Sequence, residues 1–155
     1  MRQATLCLLM RGDEILLAMK KKGFGIGKWN GVGGKFDPNF DKDIDDTALR
    51  EIEEEIGAKA IKIEKTGIFS FYFPNKKEWN QDVHLYLVNS WEGEPKESDE
   101  VCPKWFNKNN LPFDKMWDDD KIWLPKILEG KKIRGIFTFN QDGNKIENYS
   151  LENLK

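Results

Sequence analysis

Three glutamates in the run Arg50-Glu51-Ile52-Glu53-Glu54-Glu55-Ile56-Gly57 stand at spacings that can hold a cation. On a helical wheel turning roughly 100° per residue, Glu51, Glu54 and Glu55 share a sector of about 100°, because residues i, i+3 and i+4 lie on one face. Leu49, Ile52 and Ile56 gather on another sector, which is expected to face a core, while Glu53 points to solvent. Three like charges on one face repel, each close pair costing on the order of 0.2–0.5 kcal/mol. A divalent cation relieves that repulsion. All-oxygen ligation favours Mg²⁺, Mn²⁺ or Ca²⁺ over zinc, and Mg²⁺ leaves positions for water and phosphate oxygens. A plain solvated acidic face has the same composition, and at this point both readings stand.

A helix carrying that face needs ends. Asp41, Asp43, Asp45 and Asp46 crowd the residues before Thr47, and acids favour the first turn of a helix, which places the N-cap at Asp43 or a near neighbour. Gly57 is placed to close the C-terminus. Upstream, the apolar runs 5–10 and 15–19 flank Gly12-Asp13 and predict a hairpin. A cationic loop follows over 20–28, with Gly23, Gly25 and Gly27, and then the glycine-rich segment 29–35. Strands are expected at 60–64, 67–73 and 83–89, with a turn starting at Pro74-Asn75, and a further one near 104–106. Apolar residues at Trp117, Ile122, Trp123, Ile127 and Leu128 predict a second helix over 116–128, ended by Gly130. Segments 133–139 and 145–149 read as a last hairpin. The fold class is α+β: an α/β/α sandwich with a mixed central sheet and two main helices, in a single domain over 1–155.

Composition narrows the partners. A chain of 155 residues suffices for one packed core and not for two. The net charge of −2 offers no global basic field to a nucleic-acid polymer, so a phosphate-bearing ligand must be met locally, by a few cations or a metal. Cys7 and Cys102 are far apart and read as reduced thiols without catalytic support. The apolar run 6–10 is too short for a signal segment or a membrane span. A cytoplasmic monomer is expected, with nucleus or mitochondrion as further compartments in a eukaryotic source. His84 alone makes neither a triad nor a zinc site and is expected to be a hydrogen-bonded, partly buried strand residue. The Lys20-Lys21-Lys22 run reads as solvated surface, with Lys20 reaching towards a phosphate or base.

Gly34 followed by Arg50-Glu51-Ile52-x-Glu54-Glu55-x-Gly57 resembles the box of the Nudix hydrolases, Gly-x5-Glu-x7-Arg-Glu-U-x-Glu-Glu-x-Gly-U, where U is a bulky aliphatic. Ala58 is smaller than the usual final U. Arg50 lies two residues further from Gly34 than in the family's pattern, so the loop at 36–40 is longer, and Lys42 stands where the family carries its early Glu. The resemblance implies that Glu51, Glu54 and Glu55 are metal ligands with Gly33 and Gly34 carbonyls, that Glu55 or a neighbour activates water, and that Arg50 orients the glutamates. The implied cofactor is Mg²⁺, or Mn²⁺, in phosphoryl chemistry that depends on positioning and charge neutralisation.

The likeness extends past the box. Residues 19–35, Asp82-Val83-His84, Glu97-Ser98-Asp99-Glu100 and above all Leu111-Pro112-Phe113-x-x-Met116-Trp117-x-Asp119-Asp120-x-x-Trp123 are similar to the mammalian-type oxidised purine nucleoside triphosphatases. That branch implies hydrolysis of nucleotides such as 8-oxo-dGTP and 2-hydroxy-dATP to monophosphate and pyrophosphate. By residue, Asn30, Asp119 and Asp120 would bond the purine edge, with Trp117 and Phe24 on the ring and Trp123 beside them. Thr5 and Lys20 would line the pocket, Phe71 and Phe73 its floor, and Glu100 would join the metal from a loop. Gln81 and Val101 stand where that branch carries Met.

Adjacent buried aspartates cannot both ionise cheaply, so one would be protonated and donate while the other accepts. Capping of the second helix is the competing role for Asp118-Asp119-Asp120. Two further functions remain in view at this level: a Nudix hydrolase of another nucleoside diphosphate derivative, and a nucleotide-binding module of this fold without turnover.

Overall fold

The computed structural model describes residues 1–154. In chain order the elements are β1 (Arg2–Arg11), β2 (Glu14–Lys20), β3 (Trp29–Asn30), α1 (Ile44–Ile56), β4 (Lys59–Tyr72), β5 (Gln81–Glu92), β6 (Val101–Asn107), α2 (Asp120–Leu128), β7 (Ile133–Phe139) and β8 (Ile146–Asn153). The strands lie in the order β3-β2-β1-β5-β4-β7-β8, with β6 on β2. The β1–β5 and β4–β7 pairs are parallel and the others antiparallel, which makes the mixed sheet the α+β class calls for.

Both faces of the sheet centre are covered, which is why the strand sequences there are apolar runs and not alternations. Cys7, Leu9, Leu16, Ala18, Tyr86 and Val88 pack with Ala48, Ile52 and Ile56 of α1. Their strand neighbours Leu8, Ile15, Leu17 and Leu85 point the other way, onto Trp123, Leu124 and Ile127 of α2 and onto Phe69, Phe137 and Phe139. Towards β7 the burial alternates, leaving one face uncovered at Arg134, Ile136 and Thr138.

The hairpin at Gly12-Asp13 forms as expected, but β1 and β2 pair only at its mouth, Met10 with Ile15 and Arg11 with Glu14. Beyond it they splay. Segment 29–35 enters the wedge: Trp29 and Asn30 pair with Met19 and Ala18 on β2, and Val32 and Lys35 bridge to Cys7 and Ala4 on β1. The glycine-rich run is thereby held as sheet.

Three expectations change. Segments 60–64 and 67–73 are one strand, β4, because Lys65 and Thr66 form a bulge against β5 and not a turn; the extra residue is absorbed and pairing continues. The second helix begins at Asp120, not Met116; Phe113–Lys115 is a 3-10 turn, and Met116 has extended backbone. Helical spacing arose there from Trp117, which is turned into a cavity. Leu49 is not a core residue: it is 37% exposed, and Thr47, Ala48, Ile52, Glu55 and Ile56 form the buried face of α1.

The ends of α1 match their sequence signals. The Asp43 side chain accepts from the Asp46 N–H at 2.9 Å, and Gly57, at φ 70°, donates its N–H to the Glu53 carbonyl. Asp43→Ala is expected to lower the unfolding free energy by about 1 kcal/mol, and Asp43→Asn by much less. Urea titration checks this, and an unchanged midpoint in the Ala variant contradicts the capping assignment.

Candidate active site

The site grows from the wedge between β1 and β2. Thr5 N–H donates to the Gly34 carbonyl at 2.9 Å, and Cys7 and Val32 exchange two backbone bonds. At this separation there is no room for side chains: a Cβ at Gly33 would sit 2.0 Å from the Thr5 carbonyl oxygen, and one at Gly34 would sit 2.4 Å from the Glu51 carboxyl carbon. Gly33 N–H points at α1 and donates to Glu55 Oε1 at 2.8 Å. Glu55 is 3% exposed. Burial, reinforced by the Glu51 and Glu100 charges, pushes its pKa up to about 7, against the opposing pull of the Gly33 N–H and Lys20.

Arg50 ties the remaining acids. Its Nη1 donates to Glu51 Oε1 at 2.8 Å and to Glu54 Oε2 at 3.3 Å. Its strongest partner, however, is Asp41, bound in a fork by Nε and Nη2 at 2.8 Å each. Asp41 is buried and also accepts from the Thr47 hydroxyl and the Asp37 N–H. The Arg50 guanidinium holds the Asp41 carboxyl well below the usual carboxylate range. The longer loop thus folds into a closed turn, with Asp41 N–H on the Asp37 carbonyl. It delivers the carboxylate that anchors Arg50, a role no motif spacing pointed to.

The three glutamates are not gathered as they stand. Glu55 is drawn to Gly33, Glu51 and Glu54 are turned to Arg50, and among the described residues no three His, Cys, Asp or Glu side chains converge closely enough to hold an ion. The residues nevertheless fit a divalent cation. Glu51 is raised above the usual carboxylate range by burial, with Glu54 and Glu100 adding to the rise while Arg50 opposes it. Gly34 leaves the space at the Glu51 carboxyl that any side chain would fill. Two or more oxygen donors with mutually raised pKa values are a set that a hard cation relieves. Exposed Glu100 contributes its charge from the loop before β6, where its backbone carbonyl accepts from Lys21.

Glu55, Gly33 and Gly34 form one end of a cavity of about 440 Å³. Every residue expected to bind substrate also lines it: Thr5 and Lys20, Phe24 and Asn30, Phe71 and Phe73, then Trp117, Asp119, Asp120 and Trp123. Gln81 and Val101 line it too. Arg50, Glu51, Glu54 and Glu100 lie outside its walls. Phe24 and Trp117 stand with ring centroids 5.0 Å apart, and Lys28 Nζ lies 5.1 Å from the Trp117 ring centroid. Trp79 and Phe139 complete the aromatic wall. Trp79 lies 4.7 Å from Phe24, and Phe139 stacks on Phe73 at 4.6 Å. Neither was legible as a site residue, because their sequence neighbourhoods carry no periodic or motif signal.

Asp119 and Asp120 are 3% and 2% exposed. Asp119 occupies the N-cap position of α2 but makes no capping bond; its Oδ2 accepts from Trp123 Nε1 at 2.7 Å. Asp118 accepts the Ile146 N–H at 2.8 Å and pairs with Lys121. Capping therefore does not explain the pair. Asp120 Oδ2 is buried without any partner. Burial first, and then the neighbouring Asp119 charge, keeps Asp120 protonated well above the usual range. One carboxyl donor and one carboxylate acceptor thus face the cavity side by side.

Residues set aside as structural behave as such. His84 Nε2 contacts Gln3 Oε1 at 2.7 Å on the uncovered sheet face. Cys7 is fully buried, and burial pushes its thiol up, with Glu55 and Glu51 adding to the effect. Trp91 stacks on Trp105. No helix among the described residues is long and apolar enough to cross a membrane.

A family model described as NUDIX domain matches residues 1–127. The chain is 41% identical over 153 residues to a mouse protein named oxidized purine nucleoside triphosphate hydrolase, covering 99% of this chain and 96% of that one. It is 43% identical over 135 residues to the zebrafish protein of the same name, covering 87% and 85%. Among solved structures, a MutT protein from Bacillus halodurans superposes with a TM-score of 0.81 at 25% identity, covering 98% of each chain. A wedge-bound glycine pair facing an acidic helix is thus placed by sequence and by fold together: the chain belongs to the NUDIX domain family.

Proposed function

We propose that this protein hydrolyses oxidised purine nucleoside triphosphates, such as 8-oxo-dGTP and 2-hydroxy-dATP, to the monophosphate and pyrophosphate, and so keeps damaged bases out of the nucleotide pool. The observation that carries the reading is the single cavity that joins the buried Asp119–Asp120 pair to Glu55 and Gly33. The names of the mouse and zebrafish relatives point the same way.

The chain's own groups divide the work. Trp117 and Phe24 offer aromatic faces to a purine ring, which stacks at low cost in a cavity already walled by aromatics. Protonated Asp120 donates to an acceptor on the base, and Asp119 accepts from a donor. Such a pair can exchange roles, which accommodates both oxidised guanine and oxidised adenine. Asn30 adds amide contacts, while Thr5 and Lys20 hold the nucleotide where the cavity turns towards Glu55. Glu55, on the cavity wall, is placed to take the proton of the attacking water. Glu51, Glu54 and Glu55, with the Gly33 and Gly34 carbonyls and Glu100, would hold Mg²⁺, or Mn²⁺ as substitute. That ion, when bound, neutralises phosphate charge and lowers the pKa of water. Arg50 then serves as the positioning residue, anchored by Asp41. The protein is read as one domain over 1–155, a cytoplasmic monomer acting on a nucleotide and on neither nucleic-acid polymers nor membranes.

Pyrophosphate release with Mg²⁺ over a panel of normal and oxidised nucleotides tests the reading; kcat/KM should be highest on oxidised purines. Equal kcat/KM on dGTP and 8-oxo-dGTP overturns it, and no release from any nucleotide leaves a binding module. Glu55→Gln should abolish turnover while stabilising the metal-free fold at pH 8. Because burial raises the folded pKa of Glu55, ionisation disfavours the folded state: the penalty is absent below the ordinary carboxylate range, grows as pH rises towards 7, and is complete above it. Its removal is worth on the order of 3 kcal/mol at pH 8 and nothing near pH 4, which melting curves at the two pH values would read. Asp119→Ala should lower kcat/KM for the preferred base by about tenfold or more; unchanged kinetics in that variant would make Asp119 only a partner of Trp123.

A further inference from the structure

The inward-facing row of β5 begins with a residue out of keeping with its neighbours. Gln81, Val83 and Leu85 point to the same face, onto Phe71, Phe73 and Phe139, and only Gln81 is polar. It is half-buried, lies between Arg2 on β1 and Phe71 on β4 in strand register, and lines the cavity. A glutamine amide in an aromatic wall is normally satisfied by the chain itself, yet among the described residues the Gln81 side chain makes no hydrogen bond. Asn30 Oδ1, by contrast, is engaged with the Gly31 N–H, and the Thr5 hydroxyl with the Gly34 N–H. Arg2, its register partner, also lines the cavity, and its Nε is buried without a partner. Two adjacent polar side chains on two strands thus leave their bonding capacity open towards one space, across an aromatic cavity from no internal partner.

An amide carries a donor and an acceptor side by side. Oxidation of guanine at C8 creates the matching edge, a new carbonyl beside a ring N–H where the normal base has a lone-pair nitrogen beside C–H. Resting on the proposed function, we propose that Gln81, backed by Arg2, is a specificity-determining residue that binds this lactam edge of the oxidised purine, its NH₂ donating to the added oxygen and its carbonyl accepting from the ring N–H. Asp119 and Asp120 read a different edge, so damage is recognised at the position where it occurs as well as by its effect on tautomers. Normal guanine can offer Gln81 one bond in place of two. Arg2, a donor only, reinforces the preference for an oxygen.

dGTP and 8-oxo-dGTP share sugar and phosphates and differ in atoms only at this edge, so the change in the ratio of their kcat/KM values on substitution of Gln81 isolates the contact. In Gln81→Met the ratio should fall about tenfold, the worth of a good buried hydrogen-bond pair, with the larger loss on 8-oxo-dGTP. Gln81→Glu keeps the shape, removes the donor and places a charge against the added oxygen, so the ratio should fall at least as far. The melting temperature should stay put in both, since no internal bond is lost. Unchanged ratios in both variants, or equal losses on the two substrates, overturn the role of Gln81 while leaving the function standing. A parent protein that does not distinguish dGTP from 8-oxo-dGTP overturns both.

Discussion

Everything at the catalytic end depends on how closely the backbone at Gly33 approaches β1. A Cβ there would lie 2.0 Å from the Thr5 oxygen, so no other residue can occupy the position without opening the wedge. Because the segment is pressed into the sheet, the Gly33 N–H is fixed in direction, and it is aimed at Glu55. A carboxylate this buried would otherwise be too costly to hold on the core-facing side of a helix. One backbone donor is too little to satisfy it, and its raised pKa measures the shortfall. The fold therefore carries an electrostatic deficit at Glu55, on the wall of the cavity.

Arg50 controls how that deficit is presented. Its fork is taken by Asp41, which has a buried network of its own through Thr47 and Asp37. With Nε and Nη2 so engaged, Nη1 reaches Glu51 and Glu54 from a fixed base. An exposed Arg–Glu pair alone would contribute little. Anchored to a buried carboxylate, the guanidinium becomes part of the scaffold. The longer loop closes through the Asp41 N–H on the Asp37 carbonyl and carries the carboxylate that anchors Arg50.

What could be read in the sequence follows from which signals are local. The hairpin at Gly12-Asp13, the Asp43 cap and the Gly57 stop all formed where the turn and cap chemistry placed them. Periodicity misled where a residue faced a cavity in place of a core: Trp117 mimicked a helical position, and Leu49 joined an apolar sector that the sheet does not reach. The bulge at Lys65 and Thr66 looked like a break because two polar residues interrupt an apolar run, and only the opposing strand shows that pairing continues. The substrate residues carried by motif all line one cavity. Asp41, Trp79 and Phe139 were silent because their roles come from tertiary neighbours: a guanidinium nine residues on, and rings brought together from loops and a strand distant in sequence.

The two ends of the cavity solve one problem in opposite ways. Each buries acid, and in each a lysine stands near enough to temper it, Lys20 towards Glu55 and Lys28 towards Asp120. At the Glu55 end burial raises the carboxyl pKa to about 7, against the pull of the Gly33 N–H. At the Asp120 end burial is complete and a second carboxyl is adjacent, so the charge is removed and a donor remains. Asp120 buries Oδ2 without a partner, and Asp119, at the N-cap position of α2, makes no capping bond. The helix forgoes that stabilisation and turns Asp119 onto Trp123. A local rule is broken at the residues that face the ligand space, where function and not stability sets the sequence.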